Sequence, residues 1–206
     1  MLKQNPQILY IHGGMTFKTQ KEYITYLEER DISLEQKIRW YGAYLTDKLG
    51  KRCDIIRPQM PSPDHAIYEH WKITFERYLP FLHKNSILIG QSLGGIFLAK
   101  YLSENKLPKK ALSVFLICPP FDDSLGGERL AGGFVLPKDL SLLEKNTKHL
   151  HLFFSTDDPI VPITHAEKYQ HKLKKADIMM FTDKNGHFKI EEFPEIVKVI
   201  RAELRA

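Results

Sequence analysis

The structure of this chain is most tightly constrained by one stretch, Gly90-Gln91-Ser92-Leu93-Gly94-Gly95. Before it stands Ser86-Ile87-Leu88-Ile89, a short apolar run of strand length. After it, Ile96-Phe97-Leu98-Ala99-Lys100-Tyr101-Leu102 repeats its apolar residues every three or four positions. The pattern predicts a strand, a tight turn and a helix in immediate succession. A G-x-S-x-G turn in that setting holds its central residue in a strained backbone conformation at the strand's C-terminal tip, and its glycines let strand and helix approach closely. Ser92 then stands at a helix N-terminus, where backbone N–H groups face any developing anion. A serine that merely caps a helix has the same local signature. The flanking strand and helix, and the partners found further along, favour a nucleophile.

The rest of the chain alternates strands with helices. Gln7-Ile8-Leu9-Tyr10-Ile11 reads as a buried strand ending at His12-Gly13-Gly14, glycines that leave backbone N–H groups open at its end. Residues 18–30 are helical in pattern but very polar. Ser33-Leu34-Glu35-Gln36 has capping-box spacing and predicts a helix carrying Ile38, Tyr41, Leu45 and Leu49, closed by Gly50. A strand at Cys53-Asp54-Ile55-Ile56 precedes a loop broken by Pro58, Pro61 and Pro63. Asp64 is the expected N-cap of a helix with Ile67, Trp71, Phe75, Tyr78, Leu79 and Leu82 along one face. Leu112-Ser113-Val114-Phe115-Leu116-Ile117 is apolar without alternation, as in a strand covered on both faces. Residues 118–149 form the longest irregular stretch, followed by a strand at 149–154, a helix over 163–174, a strand at 178–181 and a helix running to about residue 206. This order predicts one α/β domain over residues 1–206, with a compact, mainly parallel sheet and helices on both faces.

Composition narrows the function classes. The 30 basic and 25 acidic residues leave a formal charge of +5, spread along the chain, which argues against nucleic acid as a partner. There is no run of eighteen apolar residues, and Met1-Leu2-Lys3-Gln4-Asn5-Pro6 leads straight into the first strand, so neither a signal peptide nor a membrane partner is expected. Cys53 and Cys118 are far apart and fit reduced thiols in a cytoplasmic protein. Nine histidines form no metal-ligand spacing, and no phosphate- or dinucleotide-binding glycine motif follows the first strand. No metal and no cofactor is expected.

Ligands of parallel α/β sheets bind beyond the strands' carboxyl ends. His12, Ser92, Asp157, Asp158 and His187 all follow expected strands. Serine is a poor nucleophile at neutral pH and needs a base, for which His187 in the turn after the last strand is suited. The base in turn needs a carboxylate to fix its tautomer. Asp157 or Asp158 supplies it, and the order Ser, Asp, His is that of α/β-hydrolases.

The chain resembles the small α/β-hydrolase family that includes retinoblastoma-binding protein nine and its bacterial relatives. The matching pieces are the Gly90–Gly95 elbow, Trp40-Tyr41-Gly42, Glu128-Arg129-Leu130-Ala131-Gly132-Gly133-Phe134, Ser155-Thr156-Asp157-Asp158-Pro159, Phe181-Thr182-Asp183 and Gly186-His187-Phe188. The resemblance implies the α/β-hydrolase fold without a large lid, and a serine hydrolase acting on a small acyl ester, thioester or amide. It carries the nucleophile onto Ser92, the acid onto Asp158 and the base onto His187. Asp158-Pro159-Ile160-Val161-Pro162 resembles the D-x-x-V-P that follows the acid in many α/β-hydrolases, with Asp157 as the alternative and Asp122 or Asp123 as minor ones. The expected oxyanion hole is the backbone N–H of Leu93 with that of Gly14, or of Met15 if the turn is shifted by one. Met15, Phe17, Phe121, Phe134 and Val161 are the expected pocket walls. The chain departs from the family's shorter members around residues 15–37. The rival reading is a protein-binding module that keeps the hydrolase fold without turnover.

Overall fold

The computed structural model describes residues 5–35 and 37–205. Six parallel strands form one sheet: β1 (Gln7–Ile11), β2 (Asp54–Ile56), β3 (Ile87–Gln91), β4 (Ala111–Ile117), β5 (Thr147–Ser155) and β6 (Asp177–Phe181), in the order β2-β1-β3-β4-β5-β6. The helices are α1 (Gln20–Glu29), α2 (Ala43–Leu49), α3 (Tyr68–Tyr78), α4 (Leu93–Glu104), α5 (Ser141–Lys145), α6 (Thr164–Lys172) and α7 (Pro194–Glu203). This is the expected α/β-hydrolase architecture, and among the described residues no large lid stands apart from the sheet.

The continuous apolar runs are explained by burial on both faces. Within β1, Leu9 and Ile11 face a core shared with Trp71 and Phe75 of α3 and Phe97, Leu98 and Leu102 of α4. Ile8 and Tyr10, the alternate residues, face a second core with Leu45 and Leu49 of α2 and Ile196, Val197 and Ile200 of α7. The alternation follows directly from the two-residue period of a strand.

Register brings the strand ends into line. Ile11 pairs with Gly90, Gln91 with Ile117, Ile117 with Phe153, and Ser155 with Phe181. The residues that follow these strands therefore sit side by side along one edge of the sheet.

Three local expectations need correction. The helix expected from Ser33 begins only at Ala43. Gln36 lies outside the described residues. Its neighbours Leu34 and Ile38 are exposed, so no core rewards helix formation there, and the Ser33 hydroxyl instead accepts the Glu35 N–H in a local turn. Trp40 is buried, and its N–H goes to Ile190 O at 3.0 Å, which commits the backbone to a tertiary contact. Asp64 does not cap α3, whose N-cap residue is Ile67. Ala66 N–H is held by Met15 O and Tyr68 N–H by Gly132 O, so neighbouring loops satisfy these donors. The stretch 118–149 contains α5 and the start of β5. Residues 1–4, the expected lead-in to the first strand, and residue 206, the expected end of the last helix, lie outside the described residues.

Within the segment around residues 15–37, Gln20–Glu29 form α1, which opens with a capping box at Thr19 and Glu22. Thr19 Oγ1 accepts the Glu22 N–H at 3.2 Å, and the Glu22 carboxylate accepts the Thr19 N–H. No residue of α1 is fully buried.

The elbow depends on close backbone approach. A Cβ on Gly94 would lie 2.4 Å from Ile11 O, and one on Gly90 would lie 2.3 Å from Gly94 O. Both contacts are with backbone, which cannot swing aside. Gly94→Ala is therefore expected to cost about 3 kcal/mol, the upper end for overpacking, which lowers Tm by roughly 6–12 °C in a chain of this size. A thermal melt checks this, and a Tm equal to wild type would mean the packing at the elbow is looser than described.

Candidate active site

Ser92 joins β3 to α4 with φ 53° and ψ −119°, a conformation that L-residues adopt only under constraint. Its N–H donates to Ile117 O at 2.8 Å, tying the turn to β4. The strain is held in place by the fixed strand–helix packing at the two flanking glycines.

His187 follows β6 and is nearly buried, at 9% exposure. Its Nδ1 lies 2.7 Å from Asp158 Oδ2, and the Asp158 side chain is itself 1% exposed. Asp158 Oδ1 accepts the N–H groups of Ile160 at 2.9 Å and Val161 at 3.0 Å. One carboxylate oxygen is thus anchored in the Pro159–Val161 turn while the other holds the imidazole. Asp157 points elsewhere: its Oδ2 accepts the Gly186 N–H at 2.8 Å, and its Oδ1 accepts the Ser155 hydroxyl. It braces the turn that carries His187 rather than the ring. Asp122 is engaged by Lys168 Nζ at 2.8 Å and by Ser124; burial opposes its ionisation, but these bonds outweigh it and hold the carboxyl down to about 2. Asp123 pairs with Lys18 at 2.7 Å. Neither of these two aspartates bonds His187.

The other ring nitrogen, Nε2, faces Cys118 Sγ at 3.7 Å. Cys118 is fully buried with φ 41°, and its N–H donates to Phe153 O at 2.7 Å. It follows β4 as Ser92 follows β3, so the register of the two strands sets them side by side. Strand alignment is the signal that could have placed this thiol at the site; its spacing in the sequence carries none. Burial pushes the Cys118 thiol pKa up, which keeps it protonated at neutral pH. Burial works against the His187 imidazolium, but the Cys118 and Asp158 contacts outweigh it and the ring's pKa is raised. With the thiol neutral, the Asp158 carboxylate is the lasting cause. Among the described residues, Cys118, Asp158 and His187 are the one trio whose donor atoms could converge on a metal ion.

The turn after β1 adjoins the serine. A Cβ on Gly13 would lie 3.3 Å from Ser92 Cβ, and one on Gly14 would lie 3.1 Å from Leu93 Cδ2. Met15 N–H is committed to Pro63 O at 2.7 Å, which removes it as the shifted oxyanion donor. Leu93 is the first residue of α4, so its N–H has no acceptor within the helix. His12 is a clamp: Nδ1 lies 2.6 Å from Gly13 O, and Nε2 accepts the Met60 N–H at 2.9 Å.

Ser92 and His187 open into one cavity of about 640 Å³. Of the expected walls only Met15 lines it. Phe134 and Val161 are core residues, Phe121 stacks edge-on against Tyr169, and Phe17 belongs to an adjoining cavity of about 670 Å³ beneath α1. Residues from outside the triad motifs, including Arg39, Tyr41, Arg57, Glu128 and Lys189, take their place. Single-residue hydrophobicity selects for the core and cannot separate it from a pocket lining, which explains the error.

A parallel sheet in this order, with a strained serine after β3 and a bonded Asp–His pair at the same edge, defines an α/β-hydrolase. A family model described as serine hydrolase matches residues 36–201, and the chain belongs to that family. Serine hydrolase RBBP9 of Rattus norvegicus is 28% identical over 176 residues, covering 80% of this chain and 86% of that protein. The crystal structure of the ydeN gene product of B. subtilis superposes with a TM-score of 0.78 at 20% identity, covering 98% of this chain and 100% of that one. The esterase domain of a Rhodothermus marinus protein superposes with a TM-score of 0.61 at 16% identity, covering 98% and 90%. These two structural likenesses speak to the fold. Among the described residues, no helix is long and apolar enough to cross a membrane.

Proposed function

We propose that the chain cleaves a small acyl ester, thioester or amide through a Ser92–His187–Asp158 triad and an acyl-enzyme intermediate. The observation that carries this reading is the 2.7 Å bond between His187 Nδ1 and buried Asp158, in a cavity that also holds the strained Ser92. Nδ1–H donates to the Asp158 carboxylate, which leaves Nε2 with its lone pair. Nε2 takes the Ser92 proton as Oγ attacks the acyl carbonyl, and the resulting oxyanion is received by the N–H groups of Leu93 and Gly14. The imidazolium then protonates the leaving group. Water, activated by the same nitrogen, releases the acyl group and restores the serine. In the resting structure Nε2 is in contact with Cys118 Sγ instead of bonded to Ser92, a gap that substrate binding closes in many hydrolases.

The pH dependence tests the base. His187 must be neutral to accept a proton, and its pKa is raised, so kcat/KM on an ester rises with pH with its midpoint above the ordinary histidine value of about 6.5. Stability runs the other way. A raised folded-state pKa contributes stability in full below about 6.5, and that contribution is lost as pH climbs through the raised value. Initial rates across the neutral and alkaline range are the measurement. A flat profile, or one falling with pH, would exclude His187 as the base.

A further inference from the structure

The wall of the catalytic cavity carries charge that the triad does not use. Arg39, Arg57 and Lys189 line it against a single carboxylate that also lines it, Glu128. Burial raises the Glu128 pKa, and Lys189 and His187 act to hold it ionised, so Lys189 is partly matched. The two arginines are not. Arg57 directly follows β2, and its guanidinium is fixed by Nε to Tyr41 O at 2.7 Å, Nη2 to Gly42 O at 3.2 Å and Nη2 to Thr46 Oγ1 at 2.8 Å. All three acceptors are neutral. Arg39 lies in the same turn, closed by the Gly42 N–H to Arg39 O bond at 2.9 Å, and its Nη1 donates only to Ile38 O. Among the described residues, neither arginine has a carboxylate within 4.0 Å.

Two guanidinium groups that line one cavity repel each other, and the bonds to Arg57 orient its guanidinium without neutralising it. Such a pair suits an anionic oxygen cluster: with Nε and Nη2 of Arg57 held by backbone and hydroxyl, its Nη1 N–H groups and those left on Arg39 can give charge-assisted hydrogen bonds. We infer that the substrate of this site carries an anionic group, a carboxylate or a phosphate, which Arg39 and Arg57 hold while its acyl carbonyl lies at Ser92. The inference rests on the serine hydrolase reading for the placement of the carbonyl, and on the cavity wall alone for the anion.

The test compares p-nitrophenyl butyrate with mono-p-nitrophenyl succinate, in which a carboxylate replaces the terminal methyl. The expected kcat/KM ratio favours the succinate ester about tenfold or more at low ionic strength. It falls toward one in Arg39→Gln, drops further in Arg39→Glu, and shrinks in wild type as salt rises from about 10 mM to about 0.5 M. A wild-type ratio of one or less, or a ratio indifferent to salt and to both variants, overturns the inference. The p-nitrophenyl ester of 3-phosphonopropionate, run alongside, separates the two anions: a preference for it over succinate assigns a phosphate.

A turnover-independent arm keeps this apart from the catalytic reading. Succinate or inorganic phosphate should raise the Tm of the wild type and not that of Arg39→Glu. If the esters are inert but this shift appears, the hydrolase reading fails and the anion site stands. If no anion shifts the wild type, or both proteins shift alike, the anion site is lost whatever the esters do.

Discussion

Ser92→Ala lowers kcat by about four to six orders of magnitude, the range seen when the nucleophile of such a triad is removed. The size of the effect follows from its position. Ser92 carries the proposed attacking oxygen, at the elbow beside the Leu93 and Gly14 N–H groups, and alanine offers nothing to acylate. Alanine also suffers the same backbone strain at φ 53°, so Tm stays near the wild-type value. Ser92→Gly separates the two effects: it is equally inactive but relieves strain of about 1–3 kcal/mol, less the backbone entropy that glycine loses on folding. A Ser92→Ala protein retaining more than about a tenth of the wild-type rate would remove this serine as the attacking atom.

Asp158→Asn lowers kcat by about a thousandfold to ten-thousandfold, while Asp157→Asn stays within about tenfold of wild type. The two side chains are neighbours in sequence and do different things. Asn at 158 presents an amide N–H to His187 Nδ1, forces the wrong tautomer and removes the charge that stabilises the imidazolium. Its remaining carbonyl can still accept from Ile160 and Val161, so the loop survives. Asn at 157 keeps an oxygen for the Gly186 N–H and changes only the bracing of the turn. Kinetics on one ester with both variants decides the matter. A reversed order would shift the acid by one residue and contradict the 2.7 Å contact as the catalytic one.

How much could be read from the chain depended on whether the signal was local. The elbow was legible because its strand, glycines and helix are contiguous, and the steric need for Gly90 and Gly94 arises within that stretch and the end of β1. The inner strands β1, β3 and β4 were legible because burial on both faces leaves an unbroken apolar run. The segment from Ser33 to Tyr41 misled because capping-box spacing is a weak prior, and the deciding contact, Trp40 N–H to Ile190 O, spans the chain. Asp64 failed as a cap for the same reason: Met15 and Gly132 had already taken the donors. At the site, the strand ends placed Ser92, Asp158 and His187 along one edge. Only the fold brought Cys118 against His187 and set Arg39 and Arg57 on the cavity wall, because these neighbours are defined by strand register and loop packing.

The central claim is that Ser92 is an activated nucleophile, and intact-mass labelling with a fluorophosphonate tests it most directly. The proposed mechanism predicts a single covalent adduct on the wild type, none on Ser92→Ala, and labelling that speeds up as pH rises through the His187 ionisation. No adduct on a folded wild-type protein, or an equal adduct on Ser92→Ala, would contradict it and favour a hydrolase fold kept for binding.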